Sequence, residues 1–168
     1  GRIANIRIFD PACGSGNFLI IAYKQLRLLE IKILLQLKLI KTGNAITGFE
    51  EQQTALFAKP QLTFADNKQA TNYQMELFSR IELNHFYGIE LDDFAHEVAK
   101  LSLWLAQHQM NVEFNNILGA TNPSLPLRDA GNITQGNATR LNWETVCPKP
   151  IIGEVFILGN PPYLGAKE

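Results

Sequence analysis

The fold of this chain is decided by the stretch Asp10-Pro11-Ala12-Cys13-Gly14-Ser15-Gly16-Asn17-Phe18. The residues before it, Ile6-Arg7-Ile8-Phe9, read as a short buried strand, and Phe18 to Ala22 open a long apolar helix. The glycines therefore lie in a turn between a strand and a helix. Because Gly14 and Gly16 have no Cβ, a ligand can approach the backbone closely, and the free amides of the helix start point toward it.

The chemistry of this turn favours a ligand that carries both an ammonium and a carboxylate group. A dinucleotide-binding turn has a third glycine three positions after the second, and here that position is Leu19. Asp10, at the carboxyl end of the strand, repels phosphate but pairs well with an ammonium group, while helix amides suit a carboxylate. The turn therefore predicts an amino acid or an amino-acid derivative as the ligand.

The nine residues resemble motif I of S-adenosylmethionine-dependent DNA amino-methyltransferases, whose usual form is Asp-Pro-x-Cys-Gly-x-Gly-x-Phe. The resemblance implies a Rossmann-like α/β fold, with a parallel sheet and helices on both faces, and S-adenosylmethionine as cofactor. A glycine turn that only packs the helix on the sheet is the alternative. The cofactor-binding residues that the resemblance implies in this turn are Asp10, Pro11, Ala12, Cys13, Gly14, Gly16, Asn17 and Phe18.

A second motif follows the strand predicted at 85–90. Glu90 stands between that strand and a helix, where an acid can accept hydrogen bonds from both hydroxyls of a ribose. Glu90 and Leu91 resemble motif II of the same family. The acid lies 80 residues after Asp10, whereas a ribose-binding acid usually follows its glycine turn by about 20. A polar insertion at about 43–84 accounts for the difference, and a solvated charge at the strand end is the alternative.

A third turn follows the strand predicted at 133–137. By order along the chain, Asn137 and Ala138 match the family's adenine-contacting turn, and the Asn137 amide offers an acceptor and donors to an adenine edge. A simple asparagine turn is an equal alternative.

The fourth motif, Asn160-Pro161-Pro162-Tyr163, follows the clearest strand, at 154–158. It resembles the catalytic Asn-Pro-Pro-aromatic motif of N6-adenine methyltransferases. The exocyclic amine of adenine is a poor nucleophile because its lone pair is delocalised. The Asn160 side-chain oxygen and the Pro161 carbonyl can accept its two N–H bonds and direct the lone pair. Pro161 and Pro162 fix the backbone, and Tyr163 offers a face for a flipped base. The alternative is a turn that merely ends a strand.

The order of the motifs resembles the gamma arrangement, in which the target-recognition domain follows the catalytic turn. Asn111 and Phe114, followed by Pro123-Ser124-Leu125-Pro126-Leu127, also resemble the large MmeI-like restriction-modification enzymes. The resemblance implies a site-specific adenine DNA methyltransferase, with 1–168 as a catalytic-domain fragment. Duplex DNA would bind through a recognition domain outside the fragment, and a restriction nuclease would be fused or associated. The alternatives are a protein-glutamine or RNA methyltransferase and a non-catalytic S-adenosylmethionine-binding module.

Composition limits the remaining function classes. A chain of 168 residues with 46% hydrophobic residues predicts one globular domain. Fifteen basic and sixteen acidic residues give a net charge of −1, so we expect no general phosphate-binding surface and no activity of the isolated fragment. Two cysteines without a signal peptide indicate a reducing compartment, and neither lies in a metal-ligand cluster. Charges interrupt the apolar stretch 18–40, which predicts a cytoplasmic protein without a membrane span.

The periodicity predicts two helices and four strands. The first helix runs from Asn17 to about Lys41, and the second follows an N-cap at Asp92 or Asp93. A surface connection is predicted at 111–132. Truncation after the fourth strand would leave that strand as an exposed edge. The core stripe predicted for the first helix is Leu26, Leu29, Ile33, Leu37 and Ile40.

Overall fold

A computed structural model describes residues 2–41, 79–119 and 131–160 of the chain. The described residues form a four-stranded sheet in the spatial order β3-β2-β1-β4. The strands are β1 (Ile6–Asp10), β2 (Phe86–Glu90), β3 (Asn132–Gln135) and β4 (Glu154–Ile157). The helices are α1 (Asn17–Lys41), α2 (Asp93–Leu118) and α3 (Trp143–Val146), and short 3-10 turns span Arg2–Asn5 and Leu83–His85.

All three strand pairings are parallel, so the carboxyl ends of the strands meet at one edge of the sheet. Asp10 is in register with Gly88, Glu90 with Gln135, and Phe9 with Ile157. This arrangement confirms the predicted α/β fold. Within the described residues β4 pairs only with β1, as expected for an edge strand.

Apolar side chains of β1 and β2 pack on both faces of the sheet, because successive side chains of a strand point in opposite directions. Ile8 and Phe86 pack in the core shared with α1 and α2. Phe9 packs in a smaller cluster on the other face, where its ring meets that of Trp143 in α3 edge to face at 5.4 Å between centroids. The predicted helices on both faces are therefore confirmed.

The buried face of α1 differs from the predicted stripe. Leu29, Ile33 and Leu37 are 43%, 40% and 49% exposed. The predicted core stripe is therefore wrong for these residues, and the side chain of Ile40 lies outside the described part. Among residues 17–37 of α1, whose side chains the structure describes, the buried ones are Leu19, Tyr23, Arg27, Glu30 and Ile31. Two of these buried residues are charged. A prediction from the spacing of apolar residues alone leaves them out of the buried face.

The buried Arg27 guanidinium contacts residues of two helices, although only its Nη1 makes hydrogen bonds within the described residues. Its Nη1 donates to the Tyr23 hydroxyl at 2.9 Å and to Asn111 Oδ1 of α2 at 3.1 Å. The guanidinium also lies over the Phe114 ring, 5.4 Å from its centroid. Glu30 Oε2 lies 3.4 Å from Arg27 Nε. The ion pair lies within α1, and the contacts of Arg27 with Asn111 and Phe114 join α1 to α2 inside the core.

The same carboxylate holds the segment that leads into β2. Glu30 accepts hydrogen bonds from Ser79 Oγ and from the Arg80 backbone N–H, both at 2.7 Å. Beyond this contact Ile81 and Leu83 are 2% and 1% exposed. The last residues of the segment predicted as a polar insertion therefore belong to the core.

The start of α2 agrees with the helix predicted from the sequence, but its end does not. The Asp92 carboxylate accepts from the Ala95 N–H at 2.8 Å, which confirms the predicted N-cap. The helix continues to Leu118 and ends at Gly119, whose φ is 70°. Residues 111–118, predicted as part of a surface connection, are therefore helical, and 120–130 lie outside the described residues.

We predict that Glu30→Ala lowers the free energy of unfolding by about 3–5 kcal/mol, because it leaves the buried Arg27 guanidinium without its carboxylate. Chemical denaturation of the two proteins measures the difference. Gln25→Ala, at an exposed position of the same helix, is the control and should change stability by less than about 0.5 kcal/mol. A loss of less than about 1 kcal/mol in Glu30→Ala would contradict a structural role for the pair.

Candidate active site

The turn after β1 is fixed to the end of β2 by its backbone. The Cys13 N–H donates to the Ile89 carbonyl at 3.0 Å, and the Gly16 N–H donates to the Cys13 carbonyl at 2.8 Å. Gly14 has a φ of +56°, and a Cβ at this position would meet no atom within 4 Å. Its backbone therefore faces open space, as expected for close approach by a ligand.

Gly16 has a different task from Gly14. Its φ is +84°, and a Cβ there would lie 3.3 Å from the Cβ of Ala99 in α2. Gly16 therefore allows the start of α1 to pack closely on α2. This packing is between two helices, whereas the alternative from the sequence was a turn that packs the helix on the sheet.

Asp10 ends β1 with a fully buried carboxylate, 0% exposed. Oδ1 accepts from the Ala12 N–H at 3.0 Å, while Oδ2 has no hydrogen-bond partner among the described residues. Burial raises the pKa of this carboxyl, the Ala12 hydrogen bond opposes the rise, and the charge of Glu90 adds to it. An unpartnered buried carboxylate oxygen calls for a hydrogen-bond donor, preferably a cationic one.

The Glu90 carboxylate binds three backbone amides. Oε2 accepts from the Gly14 N–H at 2.7 Å, and Oε1 accepts from the Leu91 and Asp92 N–H groups, both at 2.9 Å. Since each carboxylate oxygen accepts about two hydrogen bonds, Oε1 is filled and Oε2 retains one position. Glu90 can therefore accept a ligand hydroxyl at Oε2 while it holds the glycine turn in place.

Cys13 is a packing residue rather than a nucleophile. It is buried, and burial together with the nearby charges of Asp10 and Glu90 raises the pKa of its thiol to about 12, so the thiol stays neutral. A Cβ at Gly88 of β2 would lie 2.8 Å from the Cys13 sulfur. Gly88 thus makes room for the turn, a role that sequence analysis missed although a glycine inside a strand often marks such an approach.

The other predicted cofactor residues lie around this turn at different depths. Pro11 and Ala12 are half-buried, and Asn17 is exposed. Phe18 and Leu91 are large apolar side chains that are 46% and 67% exposed. Both therefore offer apolar surface beside the turn.

Asn137 is held by its own turn. Its Oδ1 accepts from the Thr139 N–H at 3.0 Å and from the Thr139 hydroxyl at 2.7 Å. The Ala138 carbonyl accepts from the Trp143 indole N–H at 2.8 Å. The turn is tied to β2, since the Gly136 N–H donates to the Glu90 carbonyl at 2.8 Å. These bonds fit the simple asparagine turn, and an adenine contact by Asn137 and Ala138 stays a prediction.

Asn160 lies at the same edge of the sheet, three residues after β4. The Leu158 N–H donates to the Phe9 carbonyl at 2.9 Å, which continues the pairing with β1 beyond the end of β4. Asn160 is exposed. Pro161, Pro162 and Tyr163 lie outside the described residues, so their predicted roles stay predictions.

Within 2–41, 79–119 and 131–160, no group of three or more metal-ligating side chains could hold a metal ion. No helix in the same ranges is long and apolar enough to cross a bilayer.

Comparison with known proteins identifies the family. The family model of the MmeI DNA-methyltransferase domain matches residues 1–168. The chain belongs to this family. It is 45% identical to "DNA methyltransferase A" of Bacillus subtilis (strain 168) over 168 residues, which are 99% of this chain and 16% of that protein.

Two further members of the comparison are restriction-modification proteins. The chain is 37% identical over 105 residues to a putative type II restriction enzyme and methyltransferase of Methanocaldococcus jannaschii, covering 62% of this chain and 6% of that protein. The structure of the type IIL restriction-modification enzyme MmeI in complex with DNA matches 86% of this chain and 16% of its own, at a TM-score of 0.58 and 30% identity. This MmeI-family chain thus spans less than a fifth of the length of these relatives.

We predict that Asp10→Asn raises the thermal unfolding midpoint of the ligand-free protein at neutral pH. The folded state raises the pKa of Asp10, mainly by burial, so the charged carboxylate destabilises the folded state and a neutral isostere removes that penalty. The gain should shrink as the pH falls through the raised pKa of Asp10 toward the usual aspartate pKa, and it should be absent below that pKa, where Asp10 is protonated in both states. Asp93→Asn, at an exposed acid in the first turn of α2, is the control and should show no gain.

We predict that Glu90→Ala lowers the free energy of unfolding by at least about 2 kcal/mol, because three backbone amides lose a charged acceptor. Glu90→Gln should lie between it and the unchanged protein, since one of its two terminal atoms still accepts. Denaturant titration measures both variants beside Glu113→Ala, an exposed glutamate of α2. Equal stability of the Glu90→Ala and Glu113→Ala proteins would show that Glu90 does not hold the turn.

Proposed function

We propose that this chain is the cofactor-binding and catalytic part of a site-specific adenine DNA methyltransferase in a restriction-modification system. One observation carries the proposal. The acid that ends β1, the glycine turn held by Glu90 and the residues leading to Asn160 lie together at the carboxyl edge of a parallel sheet. Ligands of open α/β sheets bind at this edge, and the chain is an MmeI-family methyltransferase domain.

The donors and acceptors at this edge fit S-adenosylmethionine, which the family implies. The buried, unpartnered Asp10 Oδ2 suits the cofactor's ammonium group. The Gly14 backbone faces open space, and the start of α1 supplies amides for a carboxylate. Glu90 Oε2 has one position for a ribose hydroxyl, and Leu91 offers apolar surface for adenine. The bound cofactor supplies an electrophilic methyl group on a sulfonium centre.

Asn160 would act on the amino group of the target adenine. Its exposed side-chain oxygen can accept one N–H, and the Pro161 carbonyl would accept the other. Holding both N–H bonds aims the nitrogen lone pair at the methyl donor. As the bond between the methyl carbon and the nitrogen forms and the carbon–sulfur bond breaks, the nitrogen would become positively charged and would release a proton to water, leaving S-adenosylhomocysteine. The Asn160 oxygen is therefore most valuable when charge develops in the transition state.

The adenine would reach Asn160 by extrusion from the duplex and stack on Tyr163. The chain has a net charge of −1, so phosphate contacts would have to come from a recognition domain of the intact protein. We therefore expect residues 1–168 by themselves to be inactive on duplex DNA. A restriction nuclease would be fused to the intact protein or associated with it, and the whole would act in the cytoplasm.

We predict that in the intact protein Asn160→Ala lowers kcat for adenine methylation by about 10²–10³, because an acceptor used mainly in the transition state is lost. Its affinity for S-adenosylhomocysteine in calorimetry should hardly change.

Tyr163→Ala should weaken binding of the flipped adenine by about 1–3 kcal/mol, and Tyr163→Phe, which keeps an aromatic face, is its matched control. The fluorescence of 2-aminopurine at the target position reports extrusion.

The outcomes separate the proposal from its rivals. Cofactor binding without methyl transfer to any DNA by the intact protein would exclude the proposal. Transfer to RNA or to a protein glutamine would then indicate the first rival, and transfer to none of these substrates would indicate a non-catalytic binding module. Full single-turnover activity in Asn160→Ala would remove Asn160 from the catalytic site.

A further inference from the structure

Gly159 occupies the position between the end of the β4 pairing and Asn160. The Leu158 N–H donates to the Phe9 carbonyl, so the chain is still fixed to β1 one residue before Gly159. The next residue along β1 is Asp10. Gly159 therefore lies against Asp10, the residue that ends β1.

The contact between Gly159 and Asp10 leaves no room for a side chain. A Cβ on Gly159 would lie 2.5 Å from Asp10 Oδ1 and 3.2 Å from its Cγ. The carboxylate cannot move away freely, because it is fully buried and its Oδ1 accepts from the Ala12 N–H. Any side chain at 159 would therefore push the carboxylate off its hydrogen bond or lift the segment leading to Asn160 off the sheet.

We propose that Gly159 is a positioning residue. Because it has no side chain, the segment that carries Asn160 lies directly against the Asp10 carboxylate. The position of Asp10 and the position of Asn160 are thereby coupled. This inference rests on the proposed function, in which Asp10 binds the cofactor and Asn160 the reacting amine.

The coupling matters because methyl transfer depends on two positions at once. Asp10 would hold the cofactor, which carries the methyl group, and Asn160 would hold the amine that receives it. A shift of about 1 Å between reacting groups is enough to slow a reaction by about a hundredfold. Because Gly159 has no side chain, the contact keeps Asp10 and the segment of Asn160 at a constant separation.

A second glycine separates the effect of this contact from that of backbone conformation. Gly159 has a φ of +155° and Gly136 a φ of +156°, so alanine is strained to a similar degree at both. A Cβ at Gly136 would meet the Leu141 Cδ1 at 2.8 Å, the end of a side chain that can rotate away. Only at Gly159 should the effect of alanine depend on Asp10.

A double-mutant cycle in the intact protein tests the proposal. The variants are Gly159→Ala, Asp10→Ala and the pair, with Gly136→Ala alone and combined with Asp10→Ala as the control cycle. Calorimetry with S-adenosylhomocysteine gives the affinities, and thermal unfolding gives the stability of each variant. Gly159→Ala should weaken binding by about tenfold or more when Asp10 is present and by less than about twofold in the Asp10→Ala background. Gly136→Ala should change affinity by the same factor in both backgrounds.

Methyl transfer supplies a second readout, with kcat calculated per S-adenosylhomocysteine-binding site so that an unfolded fraction does not lower it. At saturating cofactor, Gly159→Ala should lower kcat for DNA while the KM for DNA stays within about twofold, because the amine is held but misaligned. If Gly159→Ala does not fold, the double variant with Asp10→Ala should regain folding, since the obstructing carboxylate is gone.

The failures of the two proposals are distinguishable. If the unchanged intact protein does not bind S-adenosylhomocysteine, the proposed function fails. If it binds, but Gly159→Ala has the same effect in both backgrounds or has no effect, the positioning role of Gly159 is overturned. A double variant that does not fold would overturn it as well.

Discussion

The candidate site depends on one carboxylate that bridges two strand ends. Glu90 is the last residue of β2. Its carboxylate accepts hydrogen bonds from the Gly14 N–H in the turn after β1 and from the first two backbone amides after β2. Without this acceptor, three backbone donors near the surface would rely on water and the glycine turn would lose its fixed conformation. The residue predicted to bind a ligand is therefore also the one that shapes the binding surface.

Much of the sheet and of the site could be predicted from the sequence because its signals are local. Short apolar runs that end in Asp10, Glu90 and Asn160 mark strand ends, and parallel strands bring such ends to one edge. The Asp92 cap is a single-residue signal of the same kind. Each of these signals depends only on residues that are neighbours in the sequence, so it predicts the local structure independently of the packing.

The features that escaped prediction depend on contacts between distant segments. The buried face of α1 contains Arg27 and Glu30, whose partners come from α2 and from the segment before β2. An apolar pattern treats both as surface residues. Gly14 and Gly16 look alike in sequence, yet only the position of α2 makes Gly16 a packing residue.

The contact of Glu30 with Ser79 and Arg80 has a consequence for variation among related proteins. It fixes the point at which the chain returns to the sheet, and Ile81 and Leu83 follow directly into the core. The entropy of closing a connection rises by only about 0.6 kcal/mol for each doubling of its length. The register of β2 on β1 is therefore set at Ser79 and Arg80, close to the strand itself. A change in the length of the connection before these residues need not alter that register.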